Sequence, residues 1–218
     1  MIQAVIFDMD GLMIDSERIT YECFRRYLKN INLDMTEAFY KTLLGQTIQV
    51  CKKKVLDQYG KEFPYDDCVR QVHKMLDEQI LSKRIPIKKG LIDLLKYLRE
   101  NHYKIMVATS SERYRVEKIL KAAGILEYFD DSICGDEVEN GKPDPEVFLK
   151  ACEKLGVSVN EALVLEDSEA GIQAAFAGGI KVICVPDMKY PEEKYIKMTT
   201  FICGDLLEVM TYIKGYCQ

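Results

Sequence analysis

From Pro86 onward the chain alternates short apolar runs with helix-length amphipathic stretches, and that alternation leaves few ways to fold. The runs are Lys104-Ile105-Met106-Val107-Ala108, Ser132-Ile133-Cys134, Ala162-Leu163-Val164-Leu165, Lys181-Val182-Ile183-Cys184-Val185 and Phe201-Ile202. Between them lie a helical pattern through Leu91, Leu94, Leu95 and Leu98, helices from Glu112 to Ala123, up to Leu155 and up to Ala177, and a last one from Asp205. Strands joined by helices of this length pair in parallel through right-handed crossovers, which predicts an α/β fold with a doubly wound parallel, Rossmann-like sheet.

The first strand, Ala4-Val5-Ile6-Phe7, belongs to the same sheet but breaks into Asp8-Met9-Asp10-Gly11. Successive strand residues face opposite ways, so Asp8 and Asp10 share a face while Met9 points into packing. Two adjacent carboxylates repel, and the pair is tolerable if a metal cation binds there or if one acid keeps its proton. As a lone motif, Asp-x-Asp-Gly also reads as an ordinary strand end and turn.

After Asp15 the strand signal nearly vanishes until Pro86. Helices are expected from Ser16 to Asn30, after Thr36, from Thr47 to Tyr59 and from Tyr65 or Asp66 to about Leu81. Residues 16–83 therefore form an inserted all-helical domain, and residues 1–15 with 84–218 a discontinuous Rossmann-like core. Lys52-Lys53-Lys54 reads as a solvated helical face without a functional role.

Composition narrows the functional classes. A formal net charge of −5 and a pI near 5.3 argue against a nucleic-acid partner, which needs a basic face. The apolar runs are strand-sized and the first follows Met1 at once, so no membrane span or signal peptide is expected, and the expected location is cytoplasmic. Eight scattered cysteines without a C-x-x-C pair read as free core thiols. Two histidines, His73 and His102, give little material for a zinc site or a Ser-His-Asp triad. A monomer is the expected state.

Three later strand ends or loops offer polar groups where Asp8 and Asp10 emerge: Thr109-Ser110, Lys142 in Gly141-Lys142-Pro143-Asp144-Pro145, and Glu166-Asp167. Each alone also fits a plain structural role, as a helix cap or a loop lysine. Together they make a phosphate and magnesium site. Magnesium (Mg2+) favours hard oxygen ligands, which Asp8, Asp10, Glu166 and Asp167 can supply, while Lys142, Thr109 and Ser110 supply the charge and hydroxyls that bind a phosphate.

In these four motifs, and over essentially its whole length, the chain resembles the haloacid dehalogenase superfamily of phosphohydrolases. The matches are Asp8-Met9-Asp10-Gly11, Thr109, Lys142 within Gly-Lys-Pro-Asp-Pro, and Glu166-Asp167 within Leu-Glu-Asp-Ser-Glu-Ala-Gly-Ile. The helical insert resembles the cap of the branch holding β-phosphoglucomutase and many small-metabolite phosphatases. The resemblance implies that Asp8 is the nucleophile, Asp10 the general acid/base, Thr109 and Lys142 phosphate binders, and Asp167 a magnesium ligand beside Glu166. It also implies that residues 11–15 form a flexible segment and that the partner is a small phosphorylated metabolite.

Three functions compete. A phosphatase working through an aspartyl-phosphate is the reading adopted, with a β-phosphoglucomutase-type mutase as its rival. A non-enzymatic receiver-like phospho-acceptor is disfavoured by Asp10, by the helical insert and by the order of Lys142 and the second acidic pair. Against the mutase, the positions matching that group's phosphate-gripping arginine and its histidine are Ile48 and Thr20. The loop Gly45-Gln46-Thr47-Ile48 is the candidate for leaving-group contacts.

Overall fold

The structure is a computed structural model that describes residues 1–44, 48–82 and 85–216. The chain divides into two compact units, Met1–Asp15 with Arg84–Gln218, and Ser16–Lys83.

In chain order the elements are β1 (Ala4–Phe7), α1 (Ser16–Asn30), α2 (Glu37–Lys41), α3 (Ile48–Tyr59), α4 (Tyr65–Ser82), α5 (Leu91–Glu100), β2 (Lys104–Ala108), α6 (Arg113–Ala122), β3 (Asp131–Ile133), α7 (Glu146–Leu155), β4 (Ala162–Glu166), α8 (Glu169–Ala177), β5 (Lys181–Cys184), α9 (Glu193–Ile196), β6 (Phe201–Ile202) and α10 (Leu206–Tyr216). Thr47, expected to open the third helix, lies outside the described residues, as do Gly45 and Gln46. The short helix α9 was not foreseen, because four residues are too few to show a 3.6-residue period.

All six strands are parallel, in the order β3-β2-β1-β4-β5-β6. Chain order reverses around β1, which pairs with β2 on one side and β4 on the other, and open α/β sheets bind ligands at the carboxyl ends of strands beside such a reversal. Phe7 pairs with Val107 and Leu165, so Asp8 enters one residue beyond both neighbours. β1 is wholly buried because helices cover both faces of a parallel sheet, and its continuous apolar run is what that environment selects. On one face Phe148, Ala151 and Ile172 pack on Ile6, Met106 and Val164.

Within the segment 11–15 that the resemblance implies to be flexible, residues 11–14 are buried and hydrogen-bonded. Gly11 N–H donates to the Ile14 carbonyl (2.9 Å), Lys88 N–H donates to the Met13 carbonyl (2.9 Å), and Ile14 bridges to Ile87. Three consecutive apolar side chains, Leu12, Met13 and Ile14, are the physical reason.

The helical unit has its own packing. α1 lies against α4, with Tyr27 donating to Asp67 (3.1 Å), and the buried side chains include Cys23, Leu28, Val55, Cys68 and Val72. Lys52 pairs with Asp66 (2.7 Å), Lys53 pairs with Asp57 (2.6 Å), and Lys54 donates to the Thr42 carbonyl (2.6 Å), so local partners use the lysine run. The described cysteines are all free thiols. No helix among the described residues is long and apolar enough to cross a membrane.

Candidate active site

Asp8, Thr109 and Glu166 are among the few buried polar side chains, and all three stand at or just past the carboxyl ends of adjacent strands. A buried carboxylate needs partners, and Lys142 provides them. Its ammonium donates to Asp8 Oδ1 (2.5 Å), Glu166 Oε1 (2.8 Å) and the Ala108 carbonyl (3.2 Å), and its Nζ lies 4.7 Å from the Phe148 ring centroid. All three donors of the ammonium are thereby used.

The loop that delivers Lys142 is pinned by the first turn of α7. Glu146 accepts from the main-chain N–H groups of Glu139 (2.9 Å) and Asn140 (2.8 Å), and Asp144 Oδ1 accepts from Glu146 N–H (3.0 Å). The Lys150 ammonium, together with those two amides, holds the Glu146 carboxyl down to about 2.

Glu166 is fixed on both oxygens. Oε1 takes Lys142, and Oε2 takes the main-chain N–H groups of Asp167 (2.8 Å) and Ser168 (2.7 Å). Ser168 caps α8 by accepting from Gly171 N–H (3.1 Å), which sets the turn in which Asp167 stands. Gly11 has φ +84°, and a Cβ there would lie 2.2 Å from Asp167 Oδ2, so the main chain after β1 runs directly against that carboxylate.

Asp8, Glu166 and Asp167 each bring a carboxylate oxygen within 4.8 Å of the others. With Lys142 they would carry three negative charges and one positive when all are ionised, an excess of two that a buried site cannot hold unaided. Burial lifts the Asp8 carboxyl to about 7, with Glu166 adding to the rise and Lys142 opposing it. Burial, then the Glu166 and Asp8 charges, lifts Asp167 well above the usual carboxylate range. This donor set fits a divalent cation of hard character. Asp8 and Asp167 have oxygens to offer it, whereas both Glu166 oxygens already accept N–H groups.

Asp10 turns elsewhere. Its Oδ2 accepts from the Ser111 hydroxyl (2.8 Å) and its Oδ1 from the Arg115 guanidinium (3.2 Å). The side chain is thus held against the start of α6 and outside the group of three carboxylates. Thr109 is buried and its Oγ1 accepts from Ser111 N–H (3.1 Å), while Ser110 is exposed. Sequence reasoning selected Ser110 and passed over Ser111 and Arg115. Ser111 lies in the turn before α6 and Arg115 in its first turn, so no helical spacing links them in the sequence.

An open parallel sheet with acid, hydroxyl and ammonium groups at its switch point defines a Rossmann-like α/β core with its site at the strand ends. The haloacid dehalogenase-like hydrolase family model matches residues 5–185. The chain belongs to that family and is a phosphoric monoester hydrolase. A phosphorylated carbohydrates phosphatase of Thermotoga maritima is 30% identical over 184 residues, covering 83% of each chain. A validoxylamine A 7'-phosphate phosphatase of Streptomyces hygroscopicus subsp. limoneus is 28% identical over 211 residues, covering 96% of each. The fold is shared with a β-phosphoglucomutase from Clostridium difficile, at TM-score 0.71 and 24% identity over 98% of this chain and 96% of that one.

Proposed function

We propose that this hydrolase is a magnesium-dependent phosphatase that removes phosphate from a small metabolite through an aspartyl-phosphate on Asp8. The observation that carries the reading is the Lys142 ammonium held between Asp8 Oδ1 and Glu166 Oε1 at 2.5 and 2.8 Å. A carboxylate cannot approach a phosphate dianion unless positive charge stands beside both, and here a fixed cation is built against the attacking group.

Asp8 attacks phosphorus in line, and the bond from phosphorus to the leaving oxygen breaks as the new one forms. Asp10 gives its proton to the leaving alcohol and then takes one from the water that hydrolyses the acyl phosphate. To do so, its carboxyl has to turn from Ser111 and Arg115 toward the leaving group. Lys142, giving up its 3.2 Å bond to the Ala108 carbonyl, and Thr109 bind the phosphate oxygens, with Ser110 as a further hydroxyl, and Glu166 keeps Lys142 aimed. Asp8 and Asp167 would hold magnesium, which when bound would supply charge that favours the ionised form of Asp8 and neutralises the phosphate.

Hydrolysis is favoured over mutase chemistry by the helical unit. Ile48 is 76% exposed and carries no charge, and Thr20 spends its hydroxyl donating to the Ser16 carbonyl (2.8 Å). Neither offers a grip on a second phosphate. Sugar phosphates and related small esters are the first candidates to try, since relatives are named a phosphorylated carbohydrates phosphatase and a validoxylamine A 7'-phosphate phosphatase. The test is phosphate release by the purified protein with magnesium across a panel of phosphorylated metabolites. Release from several sugar phosphates is expected. Rapid conversion of β-glucose 1-phosphate to glucose 6-phosphate, primed by glucose 1,6-bisphosphate and outpacing phosphate release, would overturn the reading.

A further inference from the structure

Asp187 is a buried carboxylate with half of its bonding unaccounted for. Its side chain is 8% exposed, Oδ1 pairs with the Lys88 ammonium, and Oδ2 is buried without a hydrogen-bond partner. Buried polar atoms are nearly always bonded, so an orphaned carboxylate oxygen asks for a donor.

Its position says where that donor lies. β5 runs beside β4 with Cys184 opposite Glu166, and Val185 N–H donates to the Glu166 carbonyl at 2.7 Å. The chain then leaves β5 through Pro186 to Asp187, at the same end of the sheet and on the strand next to the one that delivers Asp167. The two carboxylates feel each other: after burial and the Glu166 and Asp8 charges, Asp187 is a further cause of the raised Asp167 carboxyl. Asp187 is nevertheless not among the three carboxylates whose oxygens gather within 4.8 Å, which leaves it outside the direct ligands of a cation held there. Lys88 is shared with Asp15, whose Oδ1 lies 3.5 Å from Nζ, and is anchored by its own N–H on the Met13 carbonyl (2.9 Å). The ammonium therefore sets the orientation of Asp187 from a rigid base.

We propose that Asp187 is an outer-sphere positioning residue for the metal: its Oδ2 accepts a hydrogen bond from a water on the cation held by Asp8 and Asp167, and Lys88 fixes the carboxylate for that task. Magnesium keeps several of its waters when it binds protein, which gives such an acceptor something to hold. Outer-shell partners commonly govern affinity by tenfold or more. The inference rests on the metal assignment made for the function.

The experiment is calorimetric titration of the full-length protein with magnesium chloride alone, for the wild type, Asp187→Asn and Lys88→Met. Asp187→Asn is expected to weaken magnesium roughly tenfold or more, because an amide at Oδ2 accepts poorly or presents a donor. Lys88→Met keeps the acceptor but frees its orientation, and is expected to weaken magnesium binding clearly less than Asp187→Asn does. If Lys88→Met does not fold, the double variant Asp187→Asn/Lys88→Met removes both buried charges and is expected to show the weak binding. Wild-type affinity in Asp187→Asn or in the double variant overturns the inference and leaves the functional reading standing. Equal weakening in Asp187→Asn and Lys88→Met reduces the pair to scaffold and also overturns it. No magnesium binding by the wild type rejects the functional reading together with the inference.

Discussion

The Cα of Gly171 lies so close under the Glu166 carboxylate that a Cβ built on it would sit 1.7 Å from Oε1. Glu166 cannot step aside cheaply, because Lys142 and the amides of Asp167 and Ser168 hold it. One methyl group on α8 therefore bears on the aim of the lysine beside Asp8. Gly171→Ala is expected to lower kcat about 100-fold, the scale of an ångström-level misplacement in an active site. It should also cost roughly 1–3 kcal/mol of stability through overpacking. Steady-state kinetics with a denaturation curve checks both, and a fully active Gly171→Ala protein would show that Glu166 does not set Lys142.

Asp8→Asn keeps the side-chain shape and removes the proposed nucleophile, so turnover is expected to vanish while the thermal transition stays cooperative. Asp10→Asn should be inactive on sugar phosphates yet still release an aryl alcohol such as p-nitrophenol, whose departure needs no proton. Comparing both substrates with each variant separates the two roles. Normal hydrolysis of sugar phosphates by Asp10→Asn would remove it as acid/base.

The metal-free protein should lose stability as the pH rises. Asp8 has a folded pKa of about 7, above an ordinary carboxyl at ~3.9, so the fold resists its ionised form. Its contribution is complete below the unfolded value and is lost as pH climbs through about 7. Asp167 is raised in the same direction. Thermal melts in chelator are expected to fall between pH 5 and 8, with the gain from added magnesium largest at pH 8. A flat melting profile in chelator would contradict this account of the site.

Activity should require magnesium, and calcium should inhibit, because its looser and larger shell does not hold Asp8 in line. Phosphate release after exhaustive dialysis against chelator, then with each metal restored, measures this. Full activity in the chelated protein would contradict the metal's role.

The sheet could be read from the sequence because parallel strands buried on both faces are continuous apolar runs, and the spacing between runs allowed only crossover helices. Asp8, Glu166 and Asp167 were legible for a related reason, since polar residues at the ends of such strands converge, and Lys142 through its Gly-Lys-Pro-Asp-Pro motif. Ser111, Arg115, Lys88 and Asp187 were not, since each is placed by a partner about 75 or more residues away and no local period marks it. Asp187 does follow the strand-end rule, yet its meaning depends on Lys88, which packing alone supplies. The segment 11–15, flexible by the family resemblance, has Leu12, Met13 and Ile14 buried, and their packing partners lie far along the chain where no local pattern marks them.

The most direct test of the central claim is to quench a pre-steady-state reaction with a labelled sugar phosphate and map the label by mass spectrometry. Phosphate is expected on the peptide carrying Asp8, forming and decaying at rates that account for turnover, and absent from Asp8→Asn. Undiminished hydrolysis with no phosphate on that peptide at any time would contradict the account.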